Sequence, residues 1–135
     1  MIKVLIADAH PILSQRLSDV CEDSHDVRVV AQASNPEEML EKVHQDNPDA
    51  VIIGLTKPTQ LGFAHLKELK RQHPQLPAIV LSLYHDDNYA LYALEAGASG
   101  YLMMEAAPEQ LIETIRMFVL GGPVLNDLEG QFTAI

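Results

Sequence analysis

Residues 48–58, PDAVIIGLTKP, decide the fold of this chain. Four consecutive apolar residues, 50–53, stand between a Pro-Asp pair and a segment of turn residues that opens with a glycine. A run that is apolar on both of its faces is typical of a central strand in a parallel sheet, because helices cover both sides of such a strand. Residues 78–82, AIVLS, have the same character. Two strands of this kind predict an open parallel sheet between two layers of helices.

Short apolar runs alternate with amphipathic stretches along the chain, which is typical of an α/β domain. We predict strands at residues 3–7, 27–33, 50–53, 78–82 and 100–103, and helices at residues 12–24, 36–46, 62–72, 86–96 and 108–120. The second helix has the clearest start, because Asn35 can cap it, Pro36 suits its first position and Glu38 completes a capping box. The predicted fold is a doubly wound, five-stranded parallel sheet with five helices.

The composition predicts one globular domain without a membrane segment. A chain of 135 residues, 47% of them hydrophobic, can bury a core, and no apolar run approaches the roughly 18 residues of a transmembrane helix. The N-terminus has no signal peptide, so we expect a cytoplasmic protein. The formal net charge of −10 argues against nucleic-acid binding by this chain itself, because the phosphate backbone requires a basic surface. The single cysteine, Cys21, is expected to be a reduced core or boundary residue.

The residues that end or follow the strands are the candidates for a functional site, because ligands of such sheets bind beyond the carboxyl ends of the strands. These residues are Asp8, Ala9, Gly54, Ser82 and Met104. The sequence offers no nucleophile paired with a base, no metal-binding cluster and no glycine-rich phosphate loop. We therefore do not expect an enzyme.

Three stretches of the sequence resemble the receiver domains of bacterial response regulators. Residues 2–11, IKVLIADAHP, are similar to the first strand and the loop after it. Residues 81–83, LSL, and residues 97–104, GASGYLMM, are similar to the fourth and fifth strands. Together with the GGPVL stretch at 121–125, these details narrow the resemblance to the NarL/LuxR-type branch. The resemblance covers nearly the whole chain and implies the flavodoxin-like receiver fold.

The resemblance also implies what the site does in the family. Such receivers accept a phosphoryl group on an aspartate at the end of the third strand. That aspartate and an acidic pair after the first strand hold Mg²⁺, while a Ser or Thr and a Lys contact the phosphoryl oxygens. Matched by position, Gly54 replaces the acceptor, Ala9 one acid of the pair and Met104 the lysine. Asp8 and Ser82 remain, and because one carboxylate is a poor site for Mg²⁺, we expect Mg²⁺ binding to be weak or absent.

A slipped register in the third strand is the alternative to the loss of the acceptor. Pro58 and Gly62 argue against a slip, because both stand where the family's loop after this strand has a proline and a glycine. Tyr101 matches the family's switch aromatic, whose rotation reports phosphorylation. Without an acceptor, we expect Tyr101 to stay in one position.

We interpret the chain as an atypical receiver that is not phosphorylated on aspartate. Residues 1–122 form the receiver-like domain, and residues 123–135 begin a linker or are a frayed tail. The resemblance implies the N-terminal part of a NarL/LuxR-type transcription regulator, whose DNA contacts come from a later helix-turn-helix. Two alternatives stay open: a free-standing adaptor, and a sensor whose small ligand occupies the pocket beside Gly54 and Ser82.

The expected partners are a second copy of the chain, another protein, or both, and no membrane. One candidate surface is the fourth helix with Leu91 and Tyr92, and the other is the exposed side of the last helix with Arg116. We favour the fourth helix, because apolar and tyrosine side chains suit the core of an interface. A dimer that forms without any phosphoryl donor is the corresponding expectation.

Overall fold

The computed structural model describes residues 1–7, 11–55, 60–82, 87–103 and 108–120. Five strands and five helices alternate along it: β1 (Ile2–Ala7), α1 (Pro11–Glu22), β2 (Val27–Ala33), α2 (Pro36–Asp46), β3 (Ala50–Leu55), α3 (Gln60–Gln72), β4 (Ala78–Ser82), α4 (Asp87–Glu95), β5 (Gly100–Met103) and α5 (Pro108–Leu120). All pairings are parallel, and the strand order is β2-β1-β3-β4-β5. The predicted doubly wound sheet is confirmed. Its strand order reverses at β1, so the edge beyond β1 and β3 is the expected ligand side.

Two apolar clusters lie on opposite faces of the sheet. The first contains residues of α2, α3 and α4, and the second contains residues of α1 and α5. Successive residues of β4 alternate between them: Ala78 and Val80 belong to the first cluster, Ile79 and Leu81 to the second. Every residue of β4 is buried, as a central parallel strand requires. The sheet is therefore packed on both faces up to the described ends of its strands.

The predicted start of α2 is confirmed, with one difference. The Asn35 side chain accepts a hydrogen bond from the Glu38 backbone N–H at 2.8 Å. The Glu38 carboxylate accepts from the backbone N–H of Ser34 at 2.7 Å, one residue before the cap itself. Asn47 ends the helix in the left-handed region, with φ 48°. These contacts satisfy backbone groups that the helix ends leave without intrahelical partners.

Some predicted boundaries were wrong by one or two residues. The helix α1 ends at Glu22 rather than at residue 24, because the Ser24 N–H bonds back to the Cys21 carbonyl at 3.1 Å and its hydroxyl donates to Asp26 at 2.7 Å. The strand β1 begins one residue earlier than predicted, α3 begins two residues earlier, and α4 is one residue shorter at each end. Cys21 is buried as expected, and burial raises the pKa of its thiol to about 11.

The strand β3 is longer than predicted, which changes the setting of the site. It extends to Leu55, because Gly54 and Leu55 continue the parallel register against Leu81 and Ser82 of β4. A glycine at the end of an apolar run predicts a strand end, but pairing with the neighbouring strand overrides that local preference. Gly54 is therefore held inside the sheet rather than in a loop.

No helix in the described ranges combines the length and the apolar composition that a bilayer crossing needs.

Candidate functional site

The strand register brings two of the predicted site residues to the carboxyl edge of the sheet. Gly54 lies opposite Leu81, and Ser82 lies between Leu55 on one side and Met103 on the other. Asp8 and Ala9 follow β1 directly in the sequence, and Met104 follows β5, but these three residues lie outside the described ranges. The structure thus places Gly54 and Ser82 together and leaves the rest of the predicted pocket untested.

Gly54 is half-buried in β3 and presents only backbone to the edge of the sheet. The residue before it, Ile53, packs against the first apolar cluster. The strand position opposite Gly54 is Leu81, which is buried in the second cluster. Neither Ile53 nor Leu81 carries a nucleophilic side chain, and Gly54 itself has none that could accept a phosphoryl group.

Ser82 has no exposed surface at the end of β4 and has an interaction partner within the protein. Its hydroxyl is therefore not open to solvent. The strand-end residues around it, Ala7, Ile53, Leu81 and Met103, are all apolar. In the part of the chain that the structure describes, no group of His, Cys, Asp and Glu could hold a metal ion.

Tyr101, at the switch-aromatic position, is buried inside the domain. It is 2% exposed and belongs to the first apolar cluster, together with Val80 of β4 and Ala93 of α4. Tyr101 also has an interaction that engages it within the protein. That the ring of Tyr101 stays in one position remains a prediction.

The helix α4 has one alanine-rich side and one exposed side. Ala90, Ala93 and Ala96 are buried against the sheet at the spacing of a helix face. Leu91 and Tyr92 are 51% and 50% exposed, and Glu95 is also exposed. We call Leu91, Tyr92 and Glu95 the α4 face. The other candidate surface for association lies around Arg116 and is charged, whereas the α4 face contains the large apolar side chains of Leu91 and Tyr92.

Arg116 forms a partly exposed ion pair within the domain, and its place in an association surface stays a prediction. Its Nε donates to Asp26 Oδ2 and its NH2 group donates to Asp26 Oδ1, both at 2.8 Å. A third nitrogen donates to Glu113 on the same helix at 2.6 Å. The guanidinium holds the pKa of the Asp26 carboxyl well below its usual range, while the same bonds raise the pKa of Arg116. This pair fastens α5 to the turn between α1 and β2.

The C-terminal end of α4 lies close to Lys70 of α3, and this closeness has no signal in the local sequence. Gly97 has φ 110°, and a Cβ atom on it would lie 2.6 Å from Lys70 Cγ. The Lys70 ammonium donates to the Leu76 carbonyl, and partial burial lowers the pKa of Lys70. The Ser99 N–H donates to the Ala78 carbonyl at 2.7 Å, so the turn after α4 is tied to the start of β4.

The end of α4 follows a Schellman pattern around Gly97. The Gly97 N–H donates to the Leu94 carbonyl at 3.0 Å, and the Ala98 N–H donates to the Ala93 carbonyl at 2.9 Å. This arrangement needs a left-handed residue, for which glycine is preferred. A glycine just after a helical pattern is a sequence signal for such an end, whereas the contact with Lys70 joins residues 27 positions apart and depends on the fold.

The family model and the similar proteins indicate the same family for this chain. The model of the response regulator receiver domain matches residues 4–116. Among the similar proteins are the transcriptional regulatory protein DegU of Brevibacillus brevis, 28% identical over 93% of this chain, and the oxygen regulatory protein NreC of Staphylococcus carnosus, 31% identical over 92% of it. The chain spans 53% and 58% of the lengths of these two relatives, respectively.

Solved structures share the fold as well. A two-component response regulator of the LuxR family from Aurantimonas sp. superposes with a TM-score of 0.82 at 25% identity, over 98% of this chain and 94% of that one. The response regulator domain of Thermotoga maritima CheB superposes with a TM-score of 0.78 at 23% identity, over 91% and 99% of the two chains, and supports the fold alone. The matched residues and the five-stranded parallel sheet agree, and this chain belongs to the response regulator receiver domain family.

Proposed function

We propose that this chain is an atypical receiver that works without an aspartyl phosphate. The observation that carries the proposal is Gly54, which stands in the third strand at the position that the family resemblance assigns to the phosphoacceptor. Glycine has no side-chain nucleophile, so a phosphoaspartate cannot form there. Ala9 and Met104 extend the argument, since by the same resemblance they replace a Mg²⁺ ligand and the phosphoryl-contacting lysine.

Receiver domains are signalling modules, and those of transcription regulators interact with partners and dimerise. Phosphorylation normally shifts such a domain between two arrangements, and the shift is limited to the free energy by which the phosphoryl group favours one of them. A receiver without an acceptor lacks this source of bias. We propose that its output is set by association with another protein or a second copy, through a surface that is already formed.

The proposed setting is the N-terminal regulatory part of a NarL/LuxR-type transcription regulator in the cytoplasm. Residues 1–122 would form the regulatory domain, and residues 123–135, which lie outside the described ranges, would begin the linker. The relatives support this layout, because they include transcription regulators of which this chain spans just over half. DNA binding would then belong to a helix-turn-helix beyond this segment.

Mg²⁺ binding tests the proposal, because it depends on the acidic residues that the chain is proposed to have lost. We expect the chain to bind no Mg²⁺ at millimolar concentrations, because at most Asp8 is left of the acidic ligands. The triple variant Gly54→Asp, Ala9→Asp, Met104→Lys should gain Mg²⁺ binding. Gly54→Asp alone should destabilise the domain and raise the pKa of the new carboxyl, since it adds a carboxylate without the lysine. Amide chemical shifts during a Mg²⁺ titration report the binding.

A matched control separates a rebuilt site from added charge. Gln45→Asp adds one carboxylate at an exposed position in the last turn of α2, which leads into the start of β3 rather than its carboxyl end, and should leave Mg²⁺ binding unchanged. Saturable Mg²⁺ binding by the unaltered chain would contradict the proposal. A triple variant that stays folded and binds no Mg²⁺ would show that these three positions do not share one pocket.

A further inference from the structure

An open cleft lies between α1 and β2, at the edge of the sheet and apart from the strand-end site of Gly54 and Ser82. Its volume is about 670 Å³. Pockets for small molecules have volumes of roughly 300–1,000 Å³. The floor of the cleft is apolar, because it contains the buried residues Cys21 and Val27 and the half-buried Val29. The cleft therefore has the size and the floor of a site for a small molecule with an apolar part.

A β-bulge in β2 makes room for this cleft. Val29 lies opposite Val4 of β1, but the next residue of β1 pairs with Ala31 rather than with residue 30. Val29 packs against the second apolar cluster, and the Gln32 side chain donates to a serine of α1 at 3.0 Å. These two residues therefore face α1 three positions apart, whereas regular alternation along a strand would give two. Bulges of this kind are frequent at sheet edges and beside functional sites.

Hydrogen bonds hold the walls of the cleft. Gln32 donates to Ser18 Oγ at 3.0 Å, and both residues line the cleft. The hydroxyl of Ser24, another lining residue, donates to Asp26 at 2.7 Å, and Asp26 pairs with Arg116 of α5 at 2.8 Å. These contacts join α1 to β2 and the turn between them to α5. A site whose walls are already held in this way loses less conformational freedom when a ligand binds.

Two side chains of opposite charge line the cleft without pairing with each other. Glu22 is the last residue of α1 and Arg28 is the second residue of β2, and both are exposed. Within the described ranges, neither side chain forms a hydrogen bond or an ion pair. The other arginines whose side chains the structure describes, Arg71 and Arg116, are both paired with acids. A ligand with a carboxylate and an ammonium group would match the two charges of the cleft.

We propose that the cleft between α1 and β2 binds a free α-amino acid with an apolar side chain. The carboxylate of the ligand would pair with Arg28, since a guanidinium binds a carboxylate through two parallel hydrogen bonds. The ammonium group would pair with Glu22, and the apolar side chain would cover the floor. The net charge of −10 disfavours a simple anion, whereas an amino acid carries no net charge. The inference rests on the proposed function only in treating such a ligand as an input that replaces phosphorylation.

Free leucine and phenylalanine are the probes, titrated into the full chain and followed by amide chemical shifts. We expect saturable binding with a dissociation constant of about 1 mM or below, and the largest shifts at the end of α1 and in β2. Three related compounds each lack one feature of leucine. Glycine lacks the apolar side chain, N-acetyl-leucine lacks the ammonium group and leucinamide lacks the carboxylate. Each should bind about tenfold more weakly than leucine.

Substitutions in the cleft test the same contacts from the side of the protein. Arg28→Gln and Glu22→Gln should each weaken leucine binding by about tenfold. They change the net charge in opposite directions, so a loss common to both cannot come from net charge. Arg71→Gln, the same substitution on α3 at the opposite face of the sheet, should leave binding unchanged. Ser18→Leu should block binding, because it places an apolar side chain in the cleft.

Several results would overturn the inference. One is an absence of saturable binding of both amino acids up to about 20 mM. Another is N-acetyl-leucine or leucinamide binding as tightly as leucine, because the ligand would then not need both charges. A third is equal weakening by Arg28→Gln and Arg71→Gln, and a fourth is a set of shifts confined to the strand ends around Gly54. None of these results bears on whether position 54 can be phosphorylated, so the two proposals fail separately.

Discussion

Single residues at the carboxyl edge of the sheet determine what chemistry this receiver can perform. A carboxylate at position 54 would act as nucleophile and as metal ligand, and glycine does neither. The other replacements fit with this loss. A lysine kept at position 104 without its acids would be a poorly paired ammonium, and breaking a buried ion pair costs about 3–5 kcal/mol. Met104 avoids such a charge with an adaptable apolar side chain.

Gly97 is the residue whose substitution we expect to disturb α4 most directly. Gly97→Ala would force a side chain into φ 110° and would place its Cβ 2.6 Å from Lys70 Cγ. We expect the free energy of unfolding to fall by about 1–3 kcal/mol, as is usual for a residue held in a sparsely populated backbone region. Denaturant unfolding followed by circular dichroism measures this change.

Lys70→Ala separates the two causes of the stability loss in Gly97→Ala, which are the backbone strain and the close contact with Lys70. It removes Lys70 Cγ, the nearest atom that the new Cβ would meet, and leaves the Cβ of residue 70 at 3.1 Å. The double variant should therefore recover part of the stability that Gly97→Ala loses, while the backbone strain stays. A coupling energy of about 1 kcal/mol in the double-mutant cycle is expected. Strict additivity of the two substitutions would contradict the contact between Lys70 and Gly97.

At the scale of the elements, the ion pair between Arg116 and Asp26 fastens α5 to the turn before β2. Asp26 keeps its charge in the folded domain, because its pKa is held below the ordinary carboxyl value. A depressed carboxyl pKa stabilises the fold above the unfolded pKa, and this contribution is lost as pH falls through the folded value. Asp26→Asn should therefore lower the free energy of unfolding at pH 7, and its difference from the unaltered chain should shrink below about pH 4.

Asp23→Asn is the matched control for this prediction. It removes one negative charge from the same turn, at an exposed position without an ion pair in the described part of the chain. In denaturant unfolding between about pH 7 and about pH 3, the effect of Asp23→Asn on the free energy of unfolding should change less with pH than the effect of Asp26→Asn does. Equal profiles for the two variants would show that net charge, and not the pair with Arg116, sets the effect.

The elements of the fold could be predicted from the sequence because their signals are local. The bounds of α2 and α5 follow from caps, prolines and apolar periodicity, and the structure confirms both at the predicted residues. The extension of β3 to Leu55 could not be predicted, because it depends on pairing with β4. The partner of Arg116 lies 90 residues away in sequence, so only the folded chain brings the two together.

The candidate site, like the fold, could be predicted from the sequence only in part. The positions of Gly54 and Ser82 at one edge follow from the strand order that the sequence pattern predicts, and the register confirms that they are close. The complete burial of Ser82 could not be predicted, since a serine at a strand end is compatible with either exposure or burial. Leu91 and Tyr92 are exposed, as the prediction of an association surface on the fourth helix requires, whereas the buried alanine side of this helix was not part of that prediction.

At the scale of the whole molecule, the chain has the scaffold of a receiver domain, and we propose that this scaffold works without its usual chemical input. Two apolar clusters hold five helices on a five-stranded sheet, and the α4 face stands on that platform. The central claim is that this chain carries no aspartyl phosphate, and the domain should then adopt its associating arrangement without any phosphoryl donor.

Incubation of the full chain with acetyl phosphate and Mg²⁺, followed by intact mass spectrometry, tests the central claim most directly. The triple variant Gly54→Asp, Ala9→Asp, Met104→Lys is the positive comparison, and hydroxylamine identifies an acyl phosphate because it releases the phosphoryl group. We predict an unchanged mass for the unaltered chain, since position 54 offers no carboxylate. A mass increase of one phosphoryl group that hydroxylamine removes would contradict the account.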